Sequence, residues 1–177
     1  MKKIILKTLS VIGITIILLV TYLAFNINKE DLNFKSKYEI AKTTDVKDKI
    51  KSSENFYVII LSSNCPGKYQ TTGPMKKNIE FLKSNGIPFI LVADELYSKD
   101  LDEDLDRFKK EFNFNEKIYI MDKNKYVVNG GLFNTKKRYN DFLNELVGEN
   151  HNIPLGYGVY LKFKDNKFIS HNNKIEL

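Results

Sequence analysis

Two uninterrupted apolar segments, residues 56–61 (FYVIIL) and 88–93 (PFILVA), constrain the fold of this chain most. Both are rich in β-branched or aromatic residues, as expected of strands that are buried on both faces of a sheet. The segment between them has apolar residues at helical spacing and closes with Asn85 and Gly86, so a helix is predicted over residues 75–85. Strand, helix and strand in this order predict a right-handed βαβ unit with parallel strands.

The rest of the sequence predicts two more helices and three more strands. These are a helix over 101–112, a strand over 117–121, a helix around 139–146, and strands over 158–163 and 167–170. The last two strands flank Asp165 and Asn166, a dipeptide that favours a two-residue hairpin. The predicted fold class is α/β, with a parallel βαβ half and a C-terminal antiparallel hairpin.

The N-terminal segment has the pattern of a membrane anchor. Residues 8–25 carry no charge, and three lysines precede them. Eighteen helical residues cover about 27 Å, close to the thickness of the hydrocarbon core. A retained signal anchor is favoured over a cleaved signal, with the C-terminal domain extracytoplasmic in a bacterial cell envelope. The predicted organisation is therefore an anchor at 1–26, a tether at 27–49 that ends in an amphipathic helix or short strand, and a domain at 50–177.

Charge and cysteine content exclude two classes of protein. The formal net charge is +6, from 28 basic and 22 acidic residues, but Lys2, Lys3 and Lys7 lie before the apolar segment. The remaining basic residues are scattered and include only two arginines, Arg107 and Arg138, which argues against nucleic-acid binding. A single cysteine forms no intramolecular disulfide, so a disulfide-stapled scaffold is excluded.

The loop after the first buried strand contains that cysteine. It reads SSNCPGK over 62–68, a helix follows it, and Ile153 and Pro154 precede the C-terminal hairpin. This arrangement resembles the thioredoxin-like family, especially its membrane-anchored, extracytoplasmic thiol-disulfide members. The resemblance covers roughly residues 50–170 and implies a thioredoxin-like sheet with an insertion around 94–116.

The resemblance implies a role for each residue of the loop. Cys65 matches the nucleophilic cysteine of the family, and Pro66 and Gly67 match the two residues between its paired cysteines. Lys68 stands in the place of the second, resolving cysteine, and Asn64 replaces the usual aromatic residue. The site is therefore degenerate, with one thiol instead of two.

A second part of the predicted site lies before the hairpin. Pro154 matches the cis-proline that faces the thiol in the family, although Leu155 replaces the common threonine. Ile153 and Pro154, together with Pro66 and Gly67, are the residues that the resemblance implies for client binding.

Three functions are compatible with a single thiol. A helix N-terminus and the nearby Lys68 would stabilise the thiolate of Cys65, so the first hypothesis is a monothiol redox protein that needs an external resolving thiol. The second is a non-catalytic module that binds a protein or peptide through the same groove and an aromatic surface around Tyr157 and Tyr160. A peroxidase-like activity is a third, weaker hypothesis, because the Pro and Thr that shortly precede the reactive cysteine in such peroxidases are missing here.

No metal or cofactor is predicted. The acidic series from Asp100 to Glu111 has the spacing of an EF-hand, but its sixth position is Leu105 instead of glycine, and a solvated helix face is favoured. His151 and His171 lie too far apart in sequence to indicate zinc. The sequence also lacks a phosphate-binding loop and a serine-hydrolase elbow.

Overall fold

The computed structural model describes residues 12–22, 33–62, 68–95, 99–122, 125–126, 135–149, 151–154, 158–172 and 175. The strands are β1 (Ile40–Ala41), β2 (Asn55–Leu61), β3 (Phe89–Ala93), β4 (Ile118–Met121), β5 (Val159–Lys164) and β6 (Lys167–Asn172). The helices of the domain are α1 (Thr43–Lys51), α2 (Lys68–Ser84), α3 (Leu101–Glu111) and α4 (Thr135–Val147). Residues 12–22 form a further, separate helical segment.

All six strands belong to one mixed sheet, in the order β1-β4-β3-β2-β5-β6. The four strands from β1 to β2 pair in parallel, whereas β2, β5 and β6 pair antiparallel. The β2-α2-β3 unit is the predicted βαβ unit, and β5 and β6 are the predicted hairpin. The chain therefore has the mixed α/β, thioredoxin-like fold that the sequence predicts.

The central strand β2 explains why the sheet carries helices on both faces. Its alternate side chains enter two different core clusters, each lined by two helices. Phe56, Val58 and Ile60 pack with α1 and α4, and Tyr57, Ile59 and Leu61 pack with α2 and α3. A strand buried on both faces reads as a continuous apolar run, which is the pattern seen in the sequence.

The hairpin turn is confirmed at Asp165 and Asn166. Both residues adopt positive φ angles, 49° and 67°. This backbone is the one that a two-residue type I′ turn requires, and Asn and Asp tolerate it better than most residues.

Helix α2 begins earlier than the sequence predicts. The predicted start was residue 75, whereas the helix extends back to Lys68 and contains Pro74. A proline inside a helix removes one backbone hydrogen bond, which made a later start the simpler expectation. Thr72 and Met75 on either side of Pro74 are both buried, so packing on the sheet stabilises the helix across the proline.

The domain also begins earlier than residue 50. β1 pairs with β4, and α1 buries Val46 and Ile50 against the sheet. Much of the predicted tether at 27–49 is therefore part of the folded domain. The predicted insertion at 94–116 contains α3, which leads into β4 between β1 and β3. Since Asp102, Asp104 and Asp106 lie within α3, the helical interpretation of the acidic series is confirmed.

The predicted membrane span at 8–25 lies only partly in the described residues, which include 12–22 of it. Of the helices in the described ranges, none is both long enough and apolar enough to cross a membrane.

A polar cluster links α1 to α4 beside the sheet. The hydroxyl of Thr43 donates to Glu145 Oε2 at 2.6 Å, and the hydroxyl of Tyr126 donates to Thr43 Oγ1 at 3.2 Å. Lys125 Nζ lies 2.5 Å from Glu145 Oε2. Partial burial alone would raise the pKa of Glu145, but hydrogen bonds from Lys125, Thr43 and Tyr126 outweigh burial and lower that pKa.

Because its pKa is lowered in the folded state, Glu145 stabilises the fold above its unfolded pKa, near 4.3. This stabilisation is lost as the pH falls through the folded pKa. We expect Glu145→Gln to lower the urea midpoint at pH 7, and the difference from wild type to shrink as the pH falls below about 4. Urea unfolding from pH 7 to pH 3 would show this, and a constant difference would contradict it.

Candidate functional site

The loop that contains the cysteine connects β2 to α2. β2 ends at Leu61, and Lys68 is the first residue of α2. Cys65, Pro66 and Gly67 lie outside the described residues. The two elements that flank them, β2 and α2, are the strand and the helix that the sequence predicts there.

Two carboxylate residues follow β3 at the same edge of the sheet. The backbone N–H of Asp94 donates to the carbonyl oxygen of Leu61 at 2.8 Å, so the ends of β2 and β3 are joined directly beside the loop. Glu95 comes next and is 8% exposed. The carboxyl ends of parallel strands are where α/β sheets bind ligands.

The hairpin that follows the Ile153–Pro154 segment starts at this edge as well. β5 starts at Val159, which pairs with Ile60 near the end of β2. Five residues earlier, Pro154 is exposed, while the side chain of Ile153 is buried in the core. The predicted client-binding pair thus has one anchored residue and one surface residue.

The cis-proline prediction is wrong for Pro154. Among the described residues, which include Ile153 and Pro154, no peptide bond is cis. The tertiary amide of proline leaves only about 0.5–1 kcal/mol between the two isomers, so local packing decides between them and sequence matching does not.

Tyr139 of α4 holds this segment. Its hydroxyl donates to the carbonyl oxygen of Pro154 at 2.9 Å, and the residue is 1% exposed. Burial, followed by the negative charge of Asp94, raises the pKa of Tyr139. The phenol therefore stays protonated at neutral pH and remains a hydrogen-bond donor.

Arg138, the residue before Tyr139, is also fully buried, at 1% exposure. Its Nη1 donates to the carbonyl oxygen of Glu95 at 2.7 Å, and its Nε donates to that of Tyr126 at 3.1 Å. These carbonyls belong to the segments that follow β3 and β4. One side chain therefore joins two connections at the edge where the cysteine loop begins.

Sequence reasoning missed Arg138 and Tyr139 as residues of this region. In the sequence, Tyr139 is the first residue of a predicted helix, and Arg138 is one of the scattered basic residues. The available signal was the position of Asp94 and Glu95 directly after a buried parallel strand, which predicts a polar cluster there.

The predicted aromatic surface is wrong in one of its two members. Tyr160 is 2% exposed and lies in the core cluster beneath α2. Burial raises the pKa of Tyr160 to about 12. It faces inward because β5 is an internal strand, between β2 and β6, and its alternate side chains enter the two core clusters. Tyr157 lies outside the described residues.

No protein-family model and no curated protein matches the chain. Solved structures with similar folds include a thiol:disulfide interchange protein of the thioredoxin family from Chlorobium tepidum. Its sequence is 9% identical, the match covers 71% of this chain and 72% of that chain, and the TM-score is 0.46. The thioredoxin domain of a thiol-disulfide oxidoreductase from Bacteroides vulgatus has 13% identity, 70% and 72% coverage, and a TM-score of 0.46.

A secreted disulfide oxidoreductase from Mycobacterium tuberculosis is similar at 11% identity, with 69% of this chain and 70% of that chain covered and a TM-score of 0.41. We assign the fold from strand order and register, since these TM-scores lie below 0.5. The resemblance to the thioredoxin-like family holds at the level of the fold.

Proposed function

We propose that this chain is a membrane-anchored, extracytoplasmic thioredoxin-fold protein that exchanges disulfides through the single thiol of Cys65. The observation that carries the proposal is the start of α2 at Lys68, three residues after Cys65, at the carboxyl end of the central strand β2. In this proposal the thiol of Cys65 lies near the N-terminus of the 17-residue helix α2, where unpaired backbone N–H groups and the positive end of the helix dipole would act on it. Both stabilise a thiolate.

The proposed chemistry is thiol–disulfide exchange. The thiolate of Cys65 attacks one sulfur of a client disulfide, forms a mixed disulfide with it, and releases the other sulfur as a thiolate. Because Lys68 stands where a resolving cysteine would be, an external thiolate must attack the mixed disulfide. That step regenerates Cys65 and transfers the client sulfur to the external thiol, so electrons balance without a bound cofactor.

The proposed client is a protein or peptide that lies along Pro66, Gly67, Ile153 and Pro154. The exposed Pro154 and the anchored Ile153 support this, because an extended chain needs a fixed backbone to lie against.

The proposed location is the outer face of a bacterial membrane. In the helical segment 12–22, eight large apolar side chains are at least half exposed, and three lysines precede the segment. An exposed apolar patch of this size suits a lipid environment.

The pKa of Cys65 tests the proposal, measured as the pH dependence of alkylation by iodoacetamide in the full chain. We expect a value well below about 8.5 that rises in Lys68→Ala. Lys77→Ala is the matched control, because Lys77 lies on the same helix, exposed and farther from its N-terminus, and it should leave the pKa unchanged. Since the chain has one cysteine, all alkylation reports on Cys65.

A thiol with a pKa of 8.5 or higher, or one that resists alkylation until the domain unfolds, would refute the redox proposal. The protein would then be an interaction module held at the membrane.

A further inference from the structure

The buried hydroxyl of Tyr139 has a role that the proposed exchange reaction does not yet use. Most buried tyrosines satisfy their hydroxyl within the core, as Tyr126 does with Thr43. The hydroxyl of Tyr139 instead bonds the backbone carbonyl of Pro154, an exposed residue.

We propose that Tyr139 is a positioning residue that fixes the Ile153–Pro154 backbone for an extended peptide client. The inference rests on the proposed function, since it concerns how the same site holds its client. Tyr139 touches neither the thiol nor the client disulfide in this proposal and acts only through the segment that it anchors.

Both partners of the hydrogen bond between Tyr139 and Pro154 are held by buried side chains. On one side, Tyr139 packs in the core with Phe142 and Leu143 of the same helix, all three at 1% exposure or less. On the other side, the Ile153 side chain is buried in the same cluster, and its N–H donates to His151 Nδ1 at 3.4 Å. The hydrogen bond at 2.9 Å closes the gap between helix and segment, so the carbonyl of Pro154 has one defined direction.

Asp94 adds an electrostatic reason for this hydroxyl to remain a donor. The negative charge of its carboxylate raises the pKa of Tyr139. Its backbone N–H donates to the carbonyl oxygen of Leu61 at the end of β2. A negative charge beside a buried phenol disfavours the phenolate. Burial and this charge both raise the pKa of Tyr139 above its ordinary value, near 10, so the hydroxyl remains a donor well beyond neutral pH.

Tyr139→Phe tests the inference, because it keeps the ring in the core and removes only the hydroxyl. Tyr126→Phe is the matched control, since it removes another buried hydroxyl whose hydrogen bond to Thr43 does not involve Pro154. Both variants are made in the full chain and compared with wild type in two measurements.

The first measurement is the rate at which Cys65 releases 2-nitro-5-thiobenzoate from two probes. One probe is the small symmetric disulfide of this thiol, and the other is its mixed disulfide with a short blocked peptide that contains one cysteine. In each reaction the Cys65 thiolate forms a new disulfide and expels one thiobenzoate. Tyr139→Phe should slow the peptide reaction about three- to tenfold and leave the small-probe reaction unchanged, whereas Tyr126→Phe should change neither.

The second measurement is hydrogen exchange of the backbone amides of His151 and Ile153, which does not require a reactive thiol. Tyr139→Phe should speed their exchange about fivefold or more, and Tyr126→Phe should not. The inference is overturned if Tyr139→Phe leaves the hydrogen exchange of these amides unchanged, or if it slows the reactions with both thiol probes equally. A wild-type thiol that reacts with neither probe refutes the proposed function, while the exchange rates still decide whether Tyr139 fixes the segment.

Discussion

Replacement of Arg138 by methionine is expected to lower the free energy of unfolding by about 2–6 kcal/mol, because it leaves two buried carbonyl groups without their donor at about 1–3 kcal/mol each. The carbonyls are those of Glu95 and Tyr126, and the arginine that bonds them is 1% exposed. Methionine fills similar space with apolar atoms, so the change removes the guanidinium and its hydrogen bonds without opening a large cavity.

Arg107→Met is the matched control for this prediction. Arg107 is the other arginine of the chain, and it forms an ion pair with Asp104 on α3 with 64% of its side chain exposed. Exposed pairs of this kind contribute about 0–1 kcal/mol. Urea or thermal unfolding of both variants is the measurement, and equal effects would show that Arg138 does not join the two connections as its contacts indicate.

Arg138→Lys separates charge from geometry. A lysine keeps the positive charge but has one compact ammonium group, which cannot reproduce the two diverging donors of a guanidinium. We therefore expect a loss of stability close to that of Arg138→Met. A lysine variant with wild-type stability would mean that charge alone suffices.

The strands β2 and β3 and the C-terminal hairpin could be predicted because each has a clear local signal in the sequence. β2 and β3 are covered on both faces, so their sequences are apolar without interruption, and Asp165 and Asn166 mark the hairpin by the backbone angles that they tolerate. In these places local sequence and tertiary structure agree.

The parts that were missed depend on long-range packing. β1 is only two residues long, and its place beside β4 arises from a pairing across about eighty residues that has no local signal. The predicted helix starts at residue 75, yet core contacts on both sides of Pro74 extend α2 back through it. Arg138 appears as one more surface charge until the fold places it beneath two loop carbonyls.

The position of β1 and α1 leads to a prediction about where the domain begins. A chain of residues 33–177 should keep the fold, whereas a chain of residues 50–177, cut at the boundary that the sequence suggests, should be mostly unfolded. The shorter chain loses Ala41 and Val46 from the core, the helix that holds Ile50, and the β1–β4 pairing. Burial of Val46 and Ile50 alone contributes about 3–6 kcal/mol, which is comparable to the whole stability of a typical domain.

The longer chain also keeps contacts between the segment before β1 and α3. The hydroxyl of Ser36 and the backbone N–H of Lys37 both donate to the carboxylate of Asp102, at 2.5 Å and 2.9 Å, and the hydroxyl of Tyr38 donates to Asp106 at 2.8 Å.

Circular dichroism and urea unfolding of the two chains test the boundary. Membrane fractionation beside the full chain tests the anchor, since residues 33–177 should leave the membrane while the full chain remains with it. A folded, equally stable 50–177 would show that β1 and α1 are peripheral, and a full chain that leaves the membrane would refute the anchor independently of the fold.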